Sequence, residues 1–130
     1  TMPQGGKLFI GGKSMGGRMA SMFAATAEAG DAPVRGIVCL GYPFHAPGRP
    51  EKPRIEHLKT LRTPALILQG TRDPFGGAAE VATYGLDPAI QVHWLEDGDH
   101  GFKPRKASGR TEQQNWDEAL DVIATFLGGL

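Results

Sequence analysis

Apolar residues gather in four short runs, Leu8–Ile10, Val34–Leu40, Ala65–Leu68 and Ile90–Leu95. Each is too short for a core helix, and several end in glycine, at Gly11, Gly41 and Gly70. Between them lie stretches of helical character. Met15–Ala29 is rich in alanine and methionine, with Arg18 and Glu28 its only charges, which predicts a buried helix stopped at Gly30 and Asp31. His45–Pro53 carries three prolines and a glycine, so it reads as a loop before a short helix around Ile55–Leu61. Ala78–Tyr84 is a further helix, ended by Gly85. In the last segment Thr111 and Gln114 stand at capping-box spacing. Trp116, Leu120, Ile123 and Leu127 then form one apolar stripe, with Asp117, Glu118 and Asp121 opposite. The alternation predicts an α/β fold, four parallel strands in sequential order with crossover helices. No repeat, low-complexity tract or linker divides it, so residues 1–130 read as a single domain.

Composition narrows the function classes. Fourteen basic and fourteen acidic residues cancel, so net charge offers no pull toward nucleic acid or anionic membrane. The 40% apolar content suits a soluble globular chain, and no apolar run approaches the roughly 18 residues of a membrane helix. With no charged-then-apolar leader in view, a cytoplasmic location is the expectation. The single cysteine, Cys39, sits among Ile37, Val38 and Leu40 and reads as an inert buried thiol in a reducing compartment.

Chemistry enters at Gly12-Lys13-Ser14-Met15-Gly16, a G-x-S-x-G pattern placed between the first strand and the first helix. A sharp strand-to-helix turn there would push the Ser14 hydroxyl out of the sheet. Both flanking glycines are expected to be needed, because a Cβ would collide with nearby backbone. The N–H of Met15, at the helix start, would donate to a developing oxyanion. The overlapping Gly12-Lys13-Ser14 could also end a phosphate-binding loop. That loop needs a glycine where Lys7 stands, and flexible backbone where Leu8-Phe9-Ile10 is apolar and strand-like. The nucleophile reading is therefore preferred.

A serine nucleophile needs a base, and the base needs an orienting carboxylate. Asp73 follows the third strand in Gln69-Gly70-Thr71-Arg72-Asp73-Pro74-Phe75, and His100 follows the fourth in Asp97-Gly98-Asp99-His100-Gly101-Phe102. Three candidates thus arise from three strand ends on one edge of one parallel sheet, where such sheets place their sites. Asp73 before Pro74 could also simply open a turn, and Asp97 or Asp99 could replace it. His57 and His93 read as packing or surface residues. Tyr42, Phe44 and His45 follow the second strand and are expected to wall a substrate pocket. No set of His, Cys, Asp or Glu has metal-site spacing, and no cofactor is implied.

The stretch Gly11-Gly12-Lys13-Ser14-Met15-Gly16-Gly17-Arg18-Met19-Ala20-Ser21 resembles the elbow of small bacterial α/β hydrolases related to dienelactone hydrolases. The likeness continues through Leu66–Gly76, Trp94–His100 and Phe102–Arg105. It implies Ser14 as nucleophile, Asp73 as orienting acid and His100 as base. It also implies a small-molecule acyl substrate, cleaved through an acyl-enzyme. Dienelactone hydrolases proper carry cysteine where Ser14 stands, so their substrate is not carried over. The family places several strands before the elbow strand, whereas Thr1–Lys7 alone precede it here. The expectation is therefore the C-terminal part of an α/β-hydrolase fold, lacking the N-terminal strands and weak as a short chain. The elbow strand would then be a sheet edge open to pairing with a second copy. The alternative from another class is a non-catalytic binding or scaffold module on the same fold.

Overall fold

The computed structural model describes residues 8–28 and 34–130. Four strands, β1 (Phe9–Lys13), β2 (Gly36–Leu40), β3 (Ala65–Gly70) and β4 (Ile90–Leu95), pair in parallel in the order β1-β2-β3-β4. The four apolar runs thus became four neighbouring strands. Register runs from Phe9 opposite Gly36, through Ile37 opposite Ala65, to Ala65 opposite Ile90. Among the described residues β1 is one edge of the sheet and β4 the other.

Strand alternation sends side chains into two cores, one on each face. Ile37, Cys39, Ala65 and Ile67 join Ala24 of helix α1 (Met15–Glu28), together with Tyr42, Phe44 and Leu58. Leu66, Leu68 and Leu95 join Phe102 and Ala119 of helix α3 (Glu112–Gly128) on the other face. All six residues of β3 are buried, as a central strand covered on both sides requires. Burial pushes the Cys39 thiol up to about 12, and its Sγ lies 3.4 Å from Gly17 O. A thiol so held is un-ionised at neutral pH.

Helix α1 is buried along one side only. Ser21, Ala24 and Ala27 face the sheet, while Met15, Met19, Met22 and Phe23 are exposed. The sequence expectation of a buried helix therefore needs correction for that face; the predicted end at Ala29 and stop at Gly30–Asp31 lie outside the described residues. The expected helix at Ile55–Leu61 is a single 3₁₀ turn, Glu56–Lys59, with Leu58 buried beneath it. Helix α2 shortens to Ala78–Val81.

α3 begins as predicted. Gln114 N–H donates to Thr111 Oγ1 at 3.1 Å, and Thr111 N–H to Gln114 Oε1 at 2.9 Å. Its inward face is turned from the predicted stripe. Asn115 and Ala119 are fully buried, with Trp116, Val122, Ile123 and Phe126 packed beside them, whereas Leu120 is 59% exposed. A buried polar residue moved the stripe. Asn115 Nδ2 donates to Glu96 O at 3.1 Å and Phe102 O at 2.8 Å, and its Oδ1 accepts from Arg110 Nε at 2.9 Å. Those bonds tie α3 to the loop after β4 and set its rotation. No helix among the described residues is long and apolar enough to cross a membrane.

Candidate active site

Only one residue separates β1 from α1. That residue, Ser14, takes a left-handed backbone with φ 54°, and its N–H donates to Leu40 O at 2.8 Å. A side chain in that region costs on the order of 1–2 kcal/mol, so the surroundings impose the conformation. The turn places Ser14 Oγ 2.9 Å from His100 Nε2. His100 Nδ1 lies 2.8 Å from Asp73 Oδ2.

Each partner comes from a strand end on the same edge. Asp73 sits three residues past β3, its side chain fully buried. Its second oxygen, Oδ1, accepts the Phe75 N–H at 2.8 Å. The turn-forming reading of Asp73-Pro74 and the histidine-orienting one therefore coexist, one per carboxylate oxygen. Burial raises the Asp73 carboxyl above its ordinary range, opposed by the bonds from His100 and Phe75. The Phe75 ring also lies against the imidazole, with centroids 4.3 Å apart. His100 keeps 25% of its side chain exposed, open to a reactant.

Polar contacts shape the loop that carries His100. Asp97, at φ 56°, receives Arg105 N–H at 2.8 Å and Arg105 Nη2 at 2.6 Å on its carboxylate, with Arg72 Nε 3.3 Å away. The Arg105 bonds, aided by Arg72, hold this carboxyl well below the usual range. Asp99 Oδ1 accepts the N–H groups of Gly101 and Lys103 at 2.8 and 3.0 Å. Neither flanking acid has the imidazole as its hydrogen-bond partner. At Gly70 a Cβ would stand 2.2 Å from Gly98 O and 2.4 Å from Asp99 O, so the loop seats directly on the end of β3.

The elbow glycines are unequal. A Cβ on Gly12 would meet the Gly16 carbonyl carbon at 2.5 Å and Gly17 N at 2.8 Å. One on Gly16 would meet nothing within 4 Å. The expectation that both flanks are sterically required is corrected: Gly17, whose Cβ would lie 2.8 Å from Gly12 O, takes the second role. Met15 opens α1, so its N–H is among those a helix start leaves without an intrahelical acceptor.

The predicted pocket wall is also corrected. Tyr42 and Phe44 are fully buried and His45 nearly so. The two aromatic rings pack at a tilt, centroids 4.7 Å apart, inside the α1-side core, and burial pushes the Tyr42 phenol up to about 12. Tyr42 O–H donates to Arg54 O at 3.0 Å. His45 Nε2 lies 2.9 Å from Glu80 Oε2, and its Nδ1 2.8 Å from Ala46 O. These side chains hold the loop from beneath and present almost no surface to a ligand. His57 and His93 are packing residues, 2.8 Å from Ser21 Oγ and 2.7 Å from Glu118 Oε2 respectively.

Sequence reasoning missed two buried amides. Gln69 accepts Tyr42 N–H at 2.9 Å and donates to Tyr42 O and Gly76 O, each at 3.1 Å, joining the loops after β2 and β3. Asn115 performs the same service for the loop after β4. An amide in or beside an apolar run was the only available signal. Among the described residues no three His, Cys, Asp or Glu side chains converge as metal ligands.

A profile of the family described as "Alpha/beta hydrolase domain" matches residues 2–128. Carboxymethylenebutenolidases of Pseudomonas putida and Pseudomonas knackmussii are each 27% identical over 108 residues, covering 80% of this chain. The chain spans 41% of the length of these curated relatives. A solved structure, the esterase domain from a Rhodothermus marinus protein, aligns with a TM-score of 0.49 at 17% identity, over 82% of this chain and 54% of that one. With its family profile matched nearly end to end and the dienelactone-hydrolase resemblance matched by those relatives, this chain belongs to the α/β-hydrolase family.

Proposed function

We propose that this chain carries the acyl-transfer machinery of a serine hydrolase that cleaves an ester or related acyl bond. The supporting observation is the unbroken hydrogen-bonded chain from Ser14 Oγ through His100 to the buried carboxylate of Asp73. His100 Nε2 takes the Ser14 proton as Oγ attacks the acyl carbon. Asp73 holds the proton on Nδ1, which leaves Nε2 free to accept, and stabilises the imidazolium that forms. The same Nε2–H then protonates the departing alcohol. Water then attacks the acyl carbon as His100 removes its proton. The Ser14 Oγ–acyl bond breaks with Oγ taking that proton back from His100, and the acyl group leaves as the acid. Met15 N–H, at the start of α1, donates to the oxyanion. No step calls for a cofactor.

A scaffold built on this fold would have no use for the backbone strain at Ser14 or for a buried carboxylate behind the histidine. The test is labelling of the full-length protein by a fluorophosphonate, with the adduct mapped by mass. Covalent capture at Ser14, lost in Ser14→Ala, is the expected result. Undiminished ester hydrolysis by Ser14→Ala would overturn the assignment.

A further inference from the structure

The loop between β2 and the 3₁₀ turn holds a second feature that the acyl chemistry does not use. Ala46, Arg49, Lys52 and Arg54 line a cleft of about 340 Å³. Three cations face one space, and their compensation is slight. Glu51 approaches Arg49 at 3.6 Å, with both side chains 59% exposed. Among the described residues no carboxylate lies within 4 Å of Lys52 or Arg54. The guanidinium of Arg54 instead rests against the Met15 thioether, Nη1 to Sδ 3.8 Å. Met15 follows Ser14 in the chain, so this contact links Arg54 of the cleft to the residue next to the nucleophile.

The loop is held rather than loose. Arg54 N–H donates to Phe44 O at 2.6 Å, Arg49 N–H to Ala46 O at 2.9 Å, and Lys52 N–H to Arg49 O at 3.2 Å. Tyr42 and His45 pin it from below through Arg54 O and Ala46 O. Pro47, Pro50 and Pro53 restrict the backbone between the cations. A backbone kept in place before binding loses little further entropy when an anion arrives.

We propose that Arg49, Lys52 and Arg54 bind a phosphate group carried by the substrate, so that Ser14 acts on phosphorylated esters. This rests on the acyl-transfer reading of Ser14. The charge balance favours phosphate over carboxylate. Three cations against Glu51 leave two uncompensated charges, which match a phosphate dianion, and its terminal oxygens can engage two guanidinium forks and an ammonium together. The phosphate is a handle and is not cleaved. The ester C–O bond breaks, the alcohol leaves with the proton from His100, and water completes the acid.

The test separates the handle from the chemistry. Phenyl phosphate and benzoate are titrated calorimetrically into full-length Ser14→Ala protein, which cannot turn over, with and without Arg54→Gln or Lys52→Gln. Phenyl phosphate is expected to bind at least tenfold tighter than benzoate, and each Gln change to weaken it about tenfold. In the protein with Ser14 intact, kcat/KM for a p-nitrophenyl ester with a terminal phosphate should exceed that for the uncharged ester. That ratio should fall in the same Gln variants. Absence of phosphate binding, equal binding of benzoate, or indifference to both Gln changes overturns the phosphate site. Phosphate binding without fluorophosphonate labelling of Ser14 overturns its role as a substrate handle, and identifies the acyl-transfer reading as the part that failed.

Discussion

The two glycines of the elbow should respond to alanine in opposite directions. At Gly12 the new methyl would lie 2.5 Å from the Gly16 carbonyl carbon, backbone of the first turn of α1. Ordinary contact begins near 3.4 Å, so strand end and helix must part by about 0.9 Å. The turn cannot yield freely, because Ser14 N–H is bonded to Leu40 O at 2.8 Å. Overpacking of this kind costs about 1–3 kcal/mol. A shift approaching 1 Å between nucleophile and base costs on the order of a hundredfold in rate. At Gly16 a methyl meets nothing within 4 Å and the backbone is helical, so alanine should stabilise by up to about 1 kcal/mol. The two variants are expected to differ by about 1–4 kcal/mol, a gap of several degrees or more in melting temperature for a domain of this size. Thermal unfolding and the rate of fluorophosphonate labelling, measured side by side on the full-length protein, read both effects. Gly12→Ala matching the parent in both, or Gly16→Ala falling as far as Gly12→Ala, would refute the steric reasoning.

Four further outcomes follow from charge and burial. Asp73→Asn should slow labelling by about 10³–10⁴, because an amide facing Nδ1 favours the wrong tautomer. Burial raises the Asp73 carboxyl, so the native state pays for its ionisation as pH rises from the ordinary 3.8 through the raised value, and the variant should melt no lower than the parent at pH 7. A clear drop at that pH would contradict the burial argument. Asp97 has the opposite sign: its depressed carboxyl stabilises above 3.8 and loses that contribution as pH falls below it. The melting gap between parent and Asp97→Asn should therefore hold at neutral pH and close only in acid; a gap that closes near pH 6 would assign it to another group. Asn115→Ala should destabilise by about 2–4 kcal/mol, since it strands the buried Phe102 carbonyl, removes the bonds to Glu96 O and Arg110 Nε, and leaves a cavity under α3. Leu120→Gln should stay within about 0.5 kcal/mol, and equal losses in chemical denaturation would return Leu120 to the core.

The strands were legible because four apolar runs, each closed by a turn, leave few alternatives to a parallel sheet. Ser14, Asp73 and His100 were legible because strand ends of such a sheet share one edge, and chain order alone places them there. Rotation about an element was not. Tyr42, Phe44 and His45 follow a strand whether they turn outward to a ligand or inward beneath α1, and their composition suits either. The stripe on α3 was misread because Asn115, a polar residue, occupies the centre of its buried face.

Local chemistry therefore determined, from the sequence, which segments form the strands, that the sheet is parallel, and which three strand ends bring Ser14, Asp73 and His100 together. Those features depend on hydrophobic spacing, turn residues and caps, whose causes lie within a few residues along the chain. The tertiary structure alone decided that Gly17 rather than Gly16 is pressed against the elbow, and that Gln69 and Asn115 brace the loops. It also decided that Arg49, Lys52 and Arg54 share one cleft and that Arg54 touches Met15. Each of these is a contact between segments distant in sequence or a choice of facing direction. Packing settles such choices, because close-packed interiors admit one arrangement of volumes and hydrogen bonds among several that the chain pattern would allow.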